Sequence, residues 1–502
     1  MMQKHITKQL HCIGAWASEV KKPFFILFLC ILTASIPLLL ANFNYLDDLG
    51  RVAMGYRNWD NYSRYVSEYG SIFVHAGTHL TDISPLPQLL AMLIMAAAGI
   101  MAICALKGDP SARISMFDIA AVLPLAISPY FLECLSYKFD APYMAFSVLV
   151  SVFPVWVYTC QGEKWPFRLS SILCTMLMCL SYQASSGIYP MLIAFIAFSH
   201  WNHGRVQDAL HLLLVSVLCY LGGLIIFKLL FMPSIDSYVS TAIMPLPELI
   251  PGFIAQLIQY AHIILSDFKK IWLLLFALVS LFFVLLSAYH SSQNRILALF
   301  VSGLTLLVGF ALAFGVYPAL AIPLEEPRAM FGFGALIAFI AVLASNGKKA
   351  APARLCAFAL SWCFLTFACT YGNALIEQKR FAESRIQLVL QDLNELPIMN
   401  NGAYKVVSVS GDIGYAPVVD RIPNNQRILS RLVPTLFSGN NWGENYIYCF
   451  YGIRDIAMLE DGSAVLDQTD ITQLDLPVIK DTMFHTIRGN HECLVIDLKP
   501  SH

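Results

Sequence analysis

The chain has 502 residues, 57% of them hydrophobic and only 13% charged, and its net charge is −1. A soluble globular protein carries roughly 25% charged residues, so a polar surface along the whole chain is excluded. A near-zero charge also excludes recruitment of nucleic acid by a bulk field.

A helix needs about 20 apolar residues to cross hydrocarbon. About eleven such runs lie near 23–42, 86–106, 116–133, 143–160, 169–184, 188–202, 209–231, 271–289, 296–315, 329–345 and 354–374. The first reads as a membrane helix and not as a leader, because no small-residue cleavage site follows it. The stretch 233–270 contains LPELIPGFIAQLIQYAHIIL, apolar but broken by prolines, which suits a helix lying in the interface. Lys21 and Lys22 precede the first run and place the N-terminus in the cytoplasm. Lys107, Arg113, Lys164, Arg168, Arg205, Arg295, Lys348, Lys349 and Arg354 fall in alternate loops on the same side. An odd number of spans then sends the C-terminus to the far side. Few charges stand within the apolar runs, and Asp118 is one of them.

Beyond residue 376 the composition turns polar. FAESRIQLVLQDLNEL reads as an amphipathic helix, and YKVVSVS, YIYCFYG and ECLVIDL as short strands. The expected organisation is a polytopic α-helical membrane domain, 1–376, with a large first outer loop at 43–84, and a small outer α/β domain at 377–502. Most of the thirteen cysteines lie in the apolar runs and behave as small hydrophobes. Cys449 and Cys493 fall in the outer domain, where a disulfide and two buried thiols are both open. No cysteine or histidine spacing points to a metal site.

The first outer loop begins NYLDDLGR, 44–51. On a helix, Asp47 and Arg51 would share a face, as would Asp60 and Arg64, and Arg57 and Arg64. The bland reading is an interfacial helix with paired ions and with Tyr45, Tyr56, Trp59, Tyr62, Tyr65 and Tyr69 at headgroup depth. Against it stands the adjacent pair Asp47-Asp48, which one arginine cannot neutralise on both sides. A carboxylate left over and desolvated becomes a usable base. Further along, YKFDAPY places Lys138 and Asp140 in a tight turn, where Asp140 is either a helix cap or a ligand group. Gln183 in SYQASSGIYP either packs helices or bonds a hydroxyl. Arg328, beside Glu325 and Glu326, either pairs with a glutamate or holds a phosphate.

The pieces YLDDLGR, the later Arg64, DISPLPQ (82–88), LSYKFDAPYMAFS (135–147), SYQASSG (181–187) and PRAMFGFG (327–334) occur in this order over the first two thirds of the chain. Together they resemble the GtrII family of bacterial and prophage O-antigen glucosyltransferases, which are GT-C type enzymes. Tyr65 follows Arg64 where the family pattern would have proline. The resemblance implies a GT-C-like, multi-pass protein of the bacterial inner membrane, with the N-terminus cytoplasmic and the C-terminus periplasmic. It implies transfer of glucose from undecaprenyl phosphate-glucose to O-antigen repeat units of lipopolysaccharide on the periplasmic face, causing serotype conversion.

On that reading Asp47 and Asp48 are the catalytic pair, one as general base and the other orienting it or holding sugar. One base and one displacement invert the anomeric centre, by the logic of inverting glycosidases. Arg328, Lys138, Arg51, Arg57 and Arg64 are candidates for the donor phosphate, and Asp140 and Gln183 for sugar hydroxyls. Trp442 and Tyr446 are candidates for stacking on the acceptor. Neither a metal nor another cofactor is required. The implied partners are the lipid-linked donor, the polysaccharide acceptor, membrane lipids, a small flippase and a polyprenyl-phosphate glucosyltransferase. The rivals are a lipid-linked oligosaccharide flippase or other transporter, and an O-antigen polymerase or ligase. A transporter would carry more ionisable residues within its spans and an internal repeat. A polymerase or ligase would place its key residues in a large central or late outer loop.

Overall fold

The computed structural model describes residues 2–232, 242–347, 349–396, 406–422, 427–435, 437, 448–451, 475–490 and 493–500. The chain divides into two compact units. The first comprises Met1–Ile36, Asn58–Thr78 and Ile83–Cys369, and the second Pro37–Arg57, His79–Asp82 and Thr370–His502.

The first unit is helical. Its elements are α1 (Met2–Ala41, up to Ile36), α3 (Tyr65–Val74), α4 (Leu86–Lys107), the broken run α5 (Met116–Val122), α6 (Pro124–Ile127) and α7 (Pro129–Ser136), α8 (Ala141–Gln161), α9 (Trp165–Ser181), α10 (Ile188–Asn202), α11 (Val206–Phe231), α12 (Leu246–Asp267), α13 (Lys270–Tyr289), α14 (Arg295–Leu312), α15 (Pro327–Met330), α16 (Gly332–Ala344) and the start of α17 (Ala351–Asn394). Nine helices among the described residues are long and apolar enough to cross a membrane, or ten if α5–α7, bent by 57°, is one span. The protein is therefore a polytopic membrane protein. α9 and α10 are shorter. α16 is apolar all round and buried along its length except at Leu343, so it forms the core of the unit.

Local chemistry sets the ends of these helices. Ser115 and Asp118 form a reciprocal capping box at α5. Asn294 accepts from the amides of Ile296 and Leu297 at α14. Asp118 is thus an end-of-helix residue, also bonded to Lys107 at 2.7 Å, and not the mid-span charge expected. Lys107 and Asp118 mark one end of the unit, to which several contacts belong. Arg354 lies over Phe117, Lys349 bonds Tyr289, Ser292 N donates to the Asn202 carbonyl, and His211 meets Glu163. This basic end collects the alternate loops that the charge pattern grouped together.

At the opposite end two glycines permit close approach. A Cβ on Gly187 would sit 1.6 Å from the Leu312 carbonyl oxygen, and one on Gly332 would sit 2.0 Å from that of Ala313. Both belong to the motif pieces SYQASSG and PRAMFGFG.

In the second unit, α2 (Asp47–Met54) follows the end of α1. A four-stranded sheet has the order β1 (Val406–Gly411), β4 (Cys493–Leu498), β3 (His485–Gly489), β2 (Val478–Asp481). β1 and β4 run parallel, and the other two pairings are antiparallel. The expected amphipathic helix is the last part of the 44-residue α17. Its Asp392 accepts from His485 Nε2 at 2.8 Å and meets Lys480 at 2.6 Å. The described part of YIYCFYG does not form the expected strand. Tyr448–Tyr451 is a 3-10 turn, so its aromatic β-propensity is overridden by context. The side chains of Cys449 and Cys493, and all of Trp442 and Tyr446, lie outside the described residues.

Candidate functional site

In the first unit the loop after Arg57 is not one helix. A 3-10 turn at Asp60–Tyr62 ends on Ser63 in the left-handed region, φ 56°, and α3 starts only at Tyr65. The expected Asp60–Arg64 and Arg57–Arg64 faces are therefore absent. Asp60 is exposed and accepts from the Asn61 amide. Arg57 lies in non-helical chain and belongs to the second unit.

Trp59 is buried inside the unit. Its amide donates to Glu68 Oε2 at 3.1 Å and its indole Nε1 to Asp140 Oδ1 at 2.5 Å. Asp140 does occupy the N-cap of α8, but its side chain makes no cap bond there. The carboxylate holds the loop through Trp59 instead. Lys138, in the same turn, is fully buried.

Arg64 turns towards the SYQASSG piece. Its Nε donates to Gln183 Oε1 at 3.3 Å, and its guanidinium lies 4.8 Å from the Tyr182 ring centroid and 5.3 Å from that of Tyr62. Gln183 Nε2 donates to the Tyr62 carbonyl, closing the link between the two pieces. Tyr182 Oη donates to the Arg328 carbonyl at 3.2 Å, so Tyr182 stands between the two arginines.

Arg328 does not pair with Glu325 or Glu326. Its Nη1 donates to Glu133 Oε1 at 3.2 Å, and its backbone N donates to Glu133 Oε2 at 2.5 Å. Its guanidinium also lies 5.6 Å from the Tyr137 ring centroid. Glu133 was missed from sequence. The available signal was a carboxylate inside the apolar run FLECLS, which is costly in hydrocarbon without a partner.

The ledger of charge in this cluster is simple. Glu133 compensates Arg328, whereas among the described residues the partners of Arg64 are an amide oxygen and two rings. Burial pushes the Tyr317 phenol up, and the positive charges of Arg64 and Arg328 pull it back. Both guanidiniums therefore act on the Tyr317 ring, and Glu326 as well as Glu133 acts on Arg328.

In the second unit, Asp47 and Asp48 open α2, with no polar side chain at the N-cap Leu46. Asp48 is fully buried and its Oδ2 accepts from the Tyr45 amide at 3.1 Å. Asp47 is half-buried. Arg51 is buried on the same short helix. Gly55 ends it at φ 67°, where a Cβ would strike His79 at 2.1 Å. The Tyr45 hydroxyl donates to the Leu432 carbonyl at 2.8 Å, so this ring is also buried structure.

The motif pieces are matched by a known family. The profile of the family described as "Glucosyl transferase GtrII" covers residues 36–344. The chain is also similar to an "Uncharacterized 55.3 kDa protein in gtrB 5'region" of Salmonella phage P22. They share 26% identity over 425 residues, covering 81% of this chain and 85% of that protein. No solved structure matches. The helical membrane architecture and the family profile agree, and the protein is a glycosyltransferase: the chain belongs to the GtrII glucosyl transferase family.

Proposed function

We propose that the protein transfers glucose from a polyprenyl phosphate-glucose, the undecaprenyl lipid in a bacterial inner membrane, to an O-antigen repeat unit on the periplasmic face, with inversion. The observation that carries this reading is the Arg64–Tyr182–Arg328 cluster, with two guanidiniums and one paired carboxylate. A leaving lipid phosphate gains negative charge as the anomeric bond breaks, and pre-placed cations in a dry site stabilise that charge. The basic end of the helical unit supports a cytoplasmic placement for that end. The arginine cluster at the opposite end would then face the periplasm, as would the C-terminus. A small flippase that delivers the donor and a polyprenyl-phosphate glucosyltransferase that makes it are the functional partners this chemistry needs.

The first-loop pair supplies the base. Asp47, the more accessible carboxylate, takes the proton from the acceptor hydroxyl. Asp48 holds the Tyr45 amide and keeps the turn in place. Lys138 and Asp140 serve as buried structure, Gln183 as the residue that orients Arg64, and Arg51 and Arg57 as loop structure.

Membrane-inserted Asp47→Asn and Asp48→Asn variants test these roles. Loss of a general base typically costs about 10²–10⁴-fold in rate. Asp47→Asn should lose that much transfer at normal abundance, and Asp48→Asn should mainly lower abundance. Wild-type transfer by both variants would remove the base from this pair.

A further inference from the structure

α12 is long and apolar enough to span a membrane, yet the described residues that it meets lie towards one end of the helical unit. Just before its start, Ile243 bridges Leu320 and the Met244 amide donates to the Ala319 carbonyl. In its second half, Tyr260 stacks on Phe314 at 4.3 Å and its hydroxyl donates to the Leu324 carbonyl at 2.9 Å. At its last residue, Asp267 accepts from Tyr130 at 2.9 Å, and the next residue, Phe268, packs on Phe333. Ala319, Leu320 and Leu324 lie between the end of α14 and the start of α15, and Phe333 lies in the first turn of α16. α13 then leaves from this end and reaches the basic end at Tyr289, which bonds Lys349. A helix of 22 residues, about 33 Å long at 1.5 Å per residue, thus begins beside Ala319 and Leu320 and ends beside Tyr130 and Phe333, near where α13 starts.

The surface of α12 fits that placement. Of its 22 residues only Tyr260, Ile264 and Asp267 are buried. Helical periodicity sorts its residues into three faces. Tyr260, Ile264 and Asp267 meet the body, Ile250, Ile254, Ile258 and Leu265 are exposed and apolar, and Glu248, Gln259, His262 and Ser266 are exposed and polar. A helix with adjacent exposed apolar and polar strips lies in an interface. Its body face meets the chain segments that lead into the arginine cluster. Leu324, held by Tyr260, is four residues before Arg328, and Phe314 is three before Tyr317.

We infer that α12 lies along the membrane surface and that its isoleucine strip seats the isoprenoid chain of the donor, leading the phosphate to Arg64 and Arg328. An amphiphile with one phosphate and one long branched hydrocarbon matches a branched apolar strip on a helix that Tyr260 ties to the segment leading to Arg328. The inference rests on the polyprenyl-phosphate reading given above.

The test uses the full-length protein in a bilayer with two donors, a long-chain polyprenyl phosphate-glucose and a short-chain analogue. The double variant Ile250→Asn/Ile254→Asn should raise KM for the long-chain donor about tenfold and leave the short-chain donor within about twofold. Leu214→Asn/Leu218→Asn, on the exposed face of α11, should change neither. Equal effects on both donors, no effect, or the same chain-length effect in the α11 control would overturn the seat and favour contact with bulk lipid. Wild-type protein that uses neither donor would overturn the donor reading, and the seat with it. Wild-type activity without the chain-length effect overturns the seat alone.

Discussion

Replacing Arg64 and Arg328 by glutamine, one at a time, should separate binding from folding. Arg328 compensates Glu133, which is buried and takes two bonds from it, one through the guanidinium at 3.2 Å and one through the backbone amide at 2.5 Å. Removing one partner of a buried ion pair costs about 3–5 kcal/mol. The surviving backbone bond and the 17% exposure of the Arg328 side chain place Arg328→Gln near the lower figure. Arg64 leaves no orphaned carboxylate among the described residues. It loses a long bond to Gln183 and two ring contacts, together about 1–2 kcal/mol. If it holds the phosphate, it also loses a charge-assisted bond worth about 1.5–3 kcal/mol, which raises the donor KM by about 10–150-fold. Thermal unfolding in detergent and donor titration of the transfer rate give the two readouts. Arg64→Gln that unfolds as early as Arg328→Gln, with an unchanged donor KM, would refute the division of roles.

Two further outcomes follow from packing and burial. Gly187→Ala puts a methyl 1.6 Å from the Leu312 carbonyl oxygen. It should cost about 1–3 kcal/mol or more, seen as a fall in unfolding temperature. Gly108→Ala, with open space but φ 69°, should cost only about 1 kcal/mol. Burial lowers the His485 imidazole below its ordinary 6.5, although Asp392 draws it up. The folded state then binds fewer protons than the unfolded one, so this stability is present above pH 6.5 and lost as pH falls through the lowered value. The protection of the His485–Gly489 amides, corrected for the intrinsic exchange rate, should fall as pH drops below 6.5, and His485→Gln should flatten that change.

The spans were legible because apolar runs of membrane length have few other uses. The first loop was not. Reading Asp60 and Arg64 as helical neighbours failed at Ser63, whose left-handed backbone breaks the helix and frees Arg64 to reach Gln183, 119 residues away. The Glu133–Arg328 pair spans 195 residues, and no local spacing encodes it. Trp59 looked like an interface aromatic, yet its indole spends Asp140 inside the unit. Motif order found the pieces, but which polar groups neutralise each other is a tertiary fact.

The account rests most directly on the donor. Purified protein in a bilayer, given polyprenyl phosphate-glucose and an O-antigen acceptor, should form a glucosylated product in the absence of any nucleotide sugar. With UDP-glucose alone and no lipid carrier it should form none. Efficient transfer from UDP-glucose under those conditions would contradict the account, because the arginine cluster would then have no lipid phosphate to hold.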